Sequence, residues 1–232
     1  MASLRAELAA EWPVEVDTAG ARRRVKAGRP AFDALELLHA AGDLHRPFHR
    51  AAQAFERAGL ATPAQVDHVR AQAPTAVLAL GASWLAGEPL PRLEPRRLAQ
   101  RAAAVVVGSV LTRAAGTVRA TVRAGTENRP ACPACGGSPE FSIIGPSGRM
   151  LTCARCDTRW RTVRKGCLGC GAFDTPTVAR IPSPDVGYDL VVCNGCGRYM
   201  KERTRRGGSD LLVERALTSQ LDAAAERRGL RL

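Results

Sequence analysis

TCARCDTRWRTVRKGCLGC, Thr152 to Cys170, carries two Cys-x-x-Cys pairs separated by ten residues. A third pair stands upstream at Cys132 and Cys135, and a fourth downstream at Cys193 and Cys196. All eight cysteines of the chain are thus sorted into twos at one spacing. Two thiolates two residues apart grip one ion from a tight turn, and two such turns at the ends of a hairpin close a tetrahedron. In full the order is C-x2-C-x17-C-x2-C, ten residues, then C-x2-C-x22-C-x2-C. The first half lies inside the usual four-cysteine zinc spacing and the second just beyond it.

The pattern points to Cys132, Cys135, Cys153, Cys156, Cys167, Cys170, Cys193 and Cys196 as metal ligands rather than scattered buried thiols. Redox-active Cys-x-x-Cys pairs open a helix in a βαβ unit, whereas these sit among glycine turns and short strands. Sequential pairing of the motifs, first with second and third with fourth, suits two successive hairpins; an interleaved pairing stays open. Two ions are expected, iron or zinc, because four thiolates suit Zn(II) and equally a single iron as in rubredoxin. CPACG, CLGCG and CNGCG place Gly directly after the second Cys, a position suited to φ > 0, while CARCD places Asp157 there.

Outward from the cysteines, residues 126–203 are rich in Gly, Pro and β-branched residues. PEFSII and RMLT flank the turn signal GPSG, and TVARIP and YDLVV flank SPDVG, so two hairpins are expected. TRWRTVR alternates as a strand, and RYMK extends beyond the last pair. After a hydrophilic connector, ERTRRGGS, residues 204–232 end in an amphipathic helix with Leu211, Leu212, Ala216, Leu217, Gln220 and Leu221 on one face. Residues 1–125 contain no Cys and read as helical throughout. Phe32, Leu35 and Leu38 recur at helical spacing up to Gly42, and Leu44, Phe48, Ala51, Ala52 and Phe55 form a second face between Asp43 and Gly59. Thr62 and Pro63 read as cap and first residue of a third helix. PTAVLALGASWLAG, the Pro-rich break EPLPRLEP and a long Ala/Val-rich run from Arg96 follow. The expected fold is α+β: an N-terminal helical bundle (1–125), a tandem rubredoxin- or zinc-ribbon-like metal domain (126–203), and a linker with a C-terminal helix (204–232).

The most apolar stretch, Ala102 to Leu111, is half the ~20 residues a membrane-spanning helix needs, so no membrane insertion is expected. The N-terminal residues show neither an apolar h-region nor a cleavage site. A cytoplasmic protein is therefore expected, in a compartment where thiols stay reduced and cysteine clusters hold metal. The formal charge is +12, but residues 129–206 supply 13 basic and six acidic side chains, and eight thiolates around two dications take that +7 segment to +3. RWRTVRK, Arg159 to Lys165, joins Trp160 to four cations and would suit phosphates and base stacking; the plainer reading is a ribbon strand with its arginines in water. His45 and His49 stand four apart without a His-Glu-x-x-His motif and read as solvated helix residues. No phosphate loop, nucleophile elbow or paired catalytic carboxylate stands out, so no catalytic residue is expected and the protein is not read as an enzyme.

The order CPACGGSPEFSI, GRMLTCARCDTRWRTVRKGCLGC, VVCNGCGRYMK and then an amphipathic helix resembles the formate dehydrogenase accessory protein FdhE family. The resemblance is strongest from about Arg129 to Lys201 and rests on the Cys153–Cys170 core and the Cys193–Lys201 segment. It implies a cytoplasmic maturation factor that binds the catalytic subunit of a respiratory, molybdenum- or tungsten-containing formate dehydrogenase and assists its assembly or activation. It also implies the same eight metal ligands. Homodimerisation stays open. From a different class comes the alternative of a zinc-ribbon nucleic-acid binder, and a third is electron transfer or redox sensing by a rubredoxin-like iron.

Overall fold

A computed structural model describes residues 2–87, 95–123, 128–146, 148–174, 177–204 and 210–232. The Pro-rich break at 88–94, the compositional boundary at 124–127, connector residues 205–209 and the side chain of Leu212 lie outside the described residues. The chain divides into two compact units, Met1–Thr121 and Val122–Leu232.

The first unit is helical: α1 Ala2–Glu11, α2 Thr18–Lys26, α3 Ala34–Ala40, α4 His45–Arg57, α5 Pro63–Arg70, α6 Pro74–Ala86 and α7 Arg96–Thr117, followed by the short α8 Arg119–Arg123. Helix α7 is the axis, packing against α1, α3, α4, α5 and α6. Its small residues, Ala99, Ala102, Ala103, Val106, Val107 and Val110, are buried and let neighbouring helices approach closely. Ser109 sits inside but is satisfied, accepting from the Trp12 indole at 2.7 Å and donating to the Val106 carbonyl. Thr62 and Gln65 form the reciprocal capping box of α5, with Pro63 in its first turn. Two expectations fail here. Asp33 caps α3, so Phe32 lies before that helix and Leu35 turns outward, 42% exposed. The Asp43 carboxylate accepts from the His45 amide, but the residue flanking α4 is Leu44.

The second unit is built on six strands: β1 Pro139–Gly145, β2 Gly148–Cys153, β3 Arg159–Thr162, β4 Val178–Ser183, β5 Tyr188–Cys193 and β6 Arg198–Arg203. Helices α9 Leu211–Leu217 and α10 Ser219–Arg227 close it. Both expected hairpins form, β1 with β2 and β4 with β5, each antiparallel. Their third strands, β3 and β6, extend them into meanders. The two meanders merge because β1 and β6 pair in parallel, giving one sheet in the order β3-β2-β1-β6-β5-β4. Strand alternation divides β6: Tyr199, Lys201 and Arg203 reach partners on α9 and α10, and Arg198, Met200 and Glu202 take the opposite side.

The C-terminal amphipathic segment is helical, but its buried face is not the one its leucines suggest. Val213 and Leu217 are exposed, whereas Glu214, Thr218 and Ala225 are buried. Charge pairs do the docking. Tyr188 donates to Glu214, and Tyr199 and Lys201 both donate to Asp222 at 2.8 Å. Lys201, with no exposed surface, also reaches Glu140 at 2.9 Å and lies over the Phe141 ring. Around them Leu190, Val192, Tyr199 and Ala225 form an apolar cluster, with Ile181, Leu221, Leu230 and Leu232 against it.

Candidate metal centres

Each hairpin begins and ends in a cysteine knuckle. In the first, the Gly136 amide returns to the Cys132 carbonyl and the Cys153 amide reaches the Thr158 carbonyl. In the second, the Gly171 amide returns to the Cys167 carbonyl and the Gly197 amide to the Cys193 carbonyl, as Gly136 does to Cys132. The residue after the second cysteine is left-handed in all four turns: φ is +76° at Gly136, +83° at Gly171, +67° at Gly197 and +60° at Asp157. Asp157 meets the backbone requirement that Gly meets elsewhere, since Asp tolerates this region better than most side chains. It gains a partner there, its carboxylate lying 2.9 Å from the Arg215 guanidinium of α9.

The turns bring the sulfurs together in sequential groups. Cys132, Cys135, Cys153 and Cys156 form one cluster, and Cys167, Cys170, Cys193 and Cys196 the other; within each, the sulfurs lie within 4.8 Å of one another. Cross-hairpin separations are 3.5 Å for Cys132–Cys156 and 3.6 Å for Cys135–Cys153, Cys167–Cys196 and Cys170–Cys193. None of the eight is in a disulfide. A tetrahedron of sulfurs each ~2.3 Å from a central ion has edges of ~3.8 Å, so both clusters have the size and the donor set for one ion each. Backbone amides already point at sulfur, Arg155 to Cys153 and Gly169 to Cys167, both at 3.3 Å. Such amides orient thiolates and spread their charge.

The electrostatics favour a cation in each cluster. Burial opposes ionisation of Cys153, but hydrogen bonds from Cys132, Cys135 and Cys156 outweigh it and hold its thiol well below the ordinary value. Hydrogen bonding to Cys132 and Cys153, together with burial, raises Cys135, and burial and the same neighbours raise Cys156, both well above the ordinary value. One thiolate forms easily and suppresses the rest; a dication removes that repulsion. In the second cluster burial and the sulfurs of Cys167, Cys193 and Cys170 push Cys196 up to about 12, against a lowering hydrogen bond from the Arg198 amide.

The clusters differ in access. All four cysteines of the first are buried, whereas in the second only Cys193 is, and Cys170 is exposed. Both sit at the same end of the sheet. Strands β1 and β6 run parallel and each leaves a knuckle, Cys135 for one and Cys196 for the other. Beside them, between the Cys132–Cys135 knuckle and the Cys167–Cys170 knuckle, lies a cleft of about 260 Å³. Spacing alone does not reveal it, because it arises from the pairing of two strands 60 residues apart in the chain.

Other candidates resolve differently. Trp160 is buried and its indole donates to the Arg129 carbonyl at 3.0 Å, so it is a core residue and not a stacking platform. His45 and His49 are half-buried rather than freely solvated: their rings lie 4.1 Å apart, and His45 Nε2 is 2.7 Å from the Gln72 carbonyl beyond α5. They fasten α4 to the end of α5. No helix among the described residues is long and apolar enough to cross a membrane.

No family model matches the chain. It is 30% identical over 109 residues to a protein FdhE homolog of Edwardsiella ictaluri, covering 44% of this chain and 35% of that one. An FdhE homolog of Rhizobium meliloti is 35% identical over 77 residues, 30% of this chain and 25% of the relative. Protein FdhE of Escherichia coli O127:H6 is 28% identical over 109 residues, again 44% and 35%. The match thus spans about a third or less of these relatives' own length. The crystal structure of the FdhE protein from Pseudomonas aeruginosa superposes with a TM-score of 0.67 at 21% identity, covering 99% of this chain and 83% of that one, which establishes the shared fold. The chain is thus similar in sequence to FdhE proteins over the aligned segment, and it shares the fold of one of them over nearly its whole length.

Proposed function

We propose that this protein is a cytoplasmic accessory factor, not an enzyme, that binds the catalytic subunit of a molybdenum- or tungsten-containing formate dehydrogenase and assists its assembly or activation. In this reading the eight cysteines hold two ions, iron or zinc, and the ions fix the shape of a docking face. The observation that carries it is the placement of both four-sulfur clusters at one end of one continuous sheet, in a chain similar to FdhE proteins. Closed four-thiolate sites with hydrogen-bonded sulfurs suit a structural ion, which leaves no position for substrate. Trp160, the aromatic of the Arg-rich strand, is buried and offers no face for base stacking.

The test is affinity capture with the metal-loaded full chain as bait and a purified, immature formate dehydrogenase catalytic subunit as prey, beside a salt-dependent nucleic-acid binding assay. Capture that is lost on metal removal, with no nucleic-acid binding beyond weak, salt-sensitive attraction, is the expected result. Nucleic-acid binding without capture of the subunit overturns the reading.

A further inference from the structure

The cleft is walled by Pro130 beside the Cys132–Cys135 knuckle, Leu168 from the Cys167–Cys170 knuckle, and Pro139, Val191 and Met200 from the sheet. Arg198 also lines it. This residue follows Cys196-Gly197 directly and crosses from one knuckle to the other, donating to Ser138 Oγ at 2.7 Å. Gly169 makes the crossing possible: a Cβ there would stand 2.5 Å from Arg198 Cδ.

Arg198 differs from the other cations of strands β2, β4 and β6, whose ion pairs are seen. Arg149 and Arg180 pair with Glu202, Lys201 with Glu140 and Asp222, and Arg203 with Glu214. The half-buried Arg198 meets only the neutral Ser138 hydroxyl, and no carboxylate among the described residues lies within ion-pairing distance. A guanidinium keeps its charge and offers a planar fork of donors that fits a carboxylate, so Arg198 has donor capacity left over.

We propose that this cleft binds an acidic, extended segment of a partner protein, with Arg198 receiving one carboxylate and the surrounding aliphatic residues taking an adjacent apolar side chain. The cleft's volume is below the ~300–1,000 Å³ of pockets that enclose a drug-sized ligand, which favours one or two side chains over a nucleotide or large cofactor. A polyphosphate chain calls for several cations, and the cleft presents one. The site deepens the accessory reading by supplying its recognition surface, and rests on it only for the identity of the partner.

The experiment is a titration of the zinc-loaded, ¹⁵N-labelled full chain with acetyl-Val-Leu-Glu-Leu-amide, its Gln counterpart and inorganic phosphate. The Glu peptide should shift the Arg198 Nε–H and the Gly166 and Gly169 amides saturably, with the Gln peptide and phosphate binding at least tenfold more weakly. Arg198→Gln should abolish the difference between the peptides, and Arg198→Lys should restore part of it. Equal binding of the Glu and Gln peptides to the unsubstituted protein overturns the proposal without relying on any variant. Shifts confined to residues outside the cleft, or phosphate matching the Glu peptide, overturn it too. Capture of the formate dehydrogenase subunit separates the two ideas. Capture without peptide binding removes the cleft and keeps the accessory role; peptide binding without capture does the reverse.

Discussion

Asp157 shows how one side chain reconciles two demands. The knuckle turn needs a left-handed residue, and α9 needs an anchor for Arg215, which also donates to Glu140 at 2.8 Å. Burial alone would lower the Arg215 pKa, but Glu140 and Asp157 more than compensate and hold it above the ordinary value. Asp157→Gly keeps the turn and loses the pair, whereas Asp157→Val loses both. Valine should therefore destabilise the protein by about 1–2 kcal/mol more than glycine, the usual cost of forcing a side chain into this region, as read from chemical denaturation. The same scale separates the metal centres. Exposed Cys170 and half-buried Cys167 and Cys196 should react with iodoacetamide before any of the five buried cysteines. Mass-spectrometric mapping of the metal-loaded protein during mild chelation should therefore find Cys167, Cys170 and Cys196 labelled first; uniform labelling of all eight would contradict this.

Among the elements, the C-terminal helices departed most from expectation. Their leucines read as the buried stripe, yet the fold buries Glu214, Thr218 and Ala225 and leaves Leu217 exposed, because the sheet offers Tyr188, Tyr199, Lys201 and Arg203 as partners. Lys201→Met leaves the Glu140 and Asp222 carboxylates short of a partner and should cost about 3–5 kcal/mol, while Leu217→Ser should stay within about 0.5 kcal/mol; urea midpoints of the two variants check both. Helices α4 and α5 carry a pH response. Burial first, then the neighbouring His45 and Arg70, holds the His49 pKa below the ordinary histidine value of 6.5. The unfolded chain then takes up the proton more readily than the fold. Stability from this site is complete above about pH 6.5 and declines as pH falls toward the lowered folded value. Between pH 7.5 and 5.5 the helical unit should lose stability, and His49→Gln should flatten that slope.

For the whole molecule, the two units draw on different sources of stability. The helical unit is packed on Ala, Val and Leu around α7 and contains no cysteine. The ribbon unit spends much of its length on knuckles whose sulfurs repel when ionised, and structural zinc in finger peptides contributes ~10–16 kcal/mol apparent. Complete chelation should abolish the near-ultraviolet signal of buried Trp160 and Tyr188 in the second unit while leaving most of the helical far-ultraviolet signal. Loss of both signals in a single step would mean that the units are not independent.

Four Cys-x-x-Cys pairs, with Gly after three of them, were enough to read the knuckles, and turn signals and apolar spacing to read the hairpins and the helical first half, because each depends on residues close in the chain and on local backbone rules; sequential clustering was the pairing that suited them. The parallel pairing of β1 with β6 was not legible, nor were the single end of the sheet that holds both clusters, the cleft crossed by Arg198 and the charged underside of the C-terminal helices. Those depend on which strand edges meet and which charges find each other after collapse, and periodicity along one segment carries no information about a partner that lies 60 residues away.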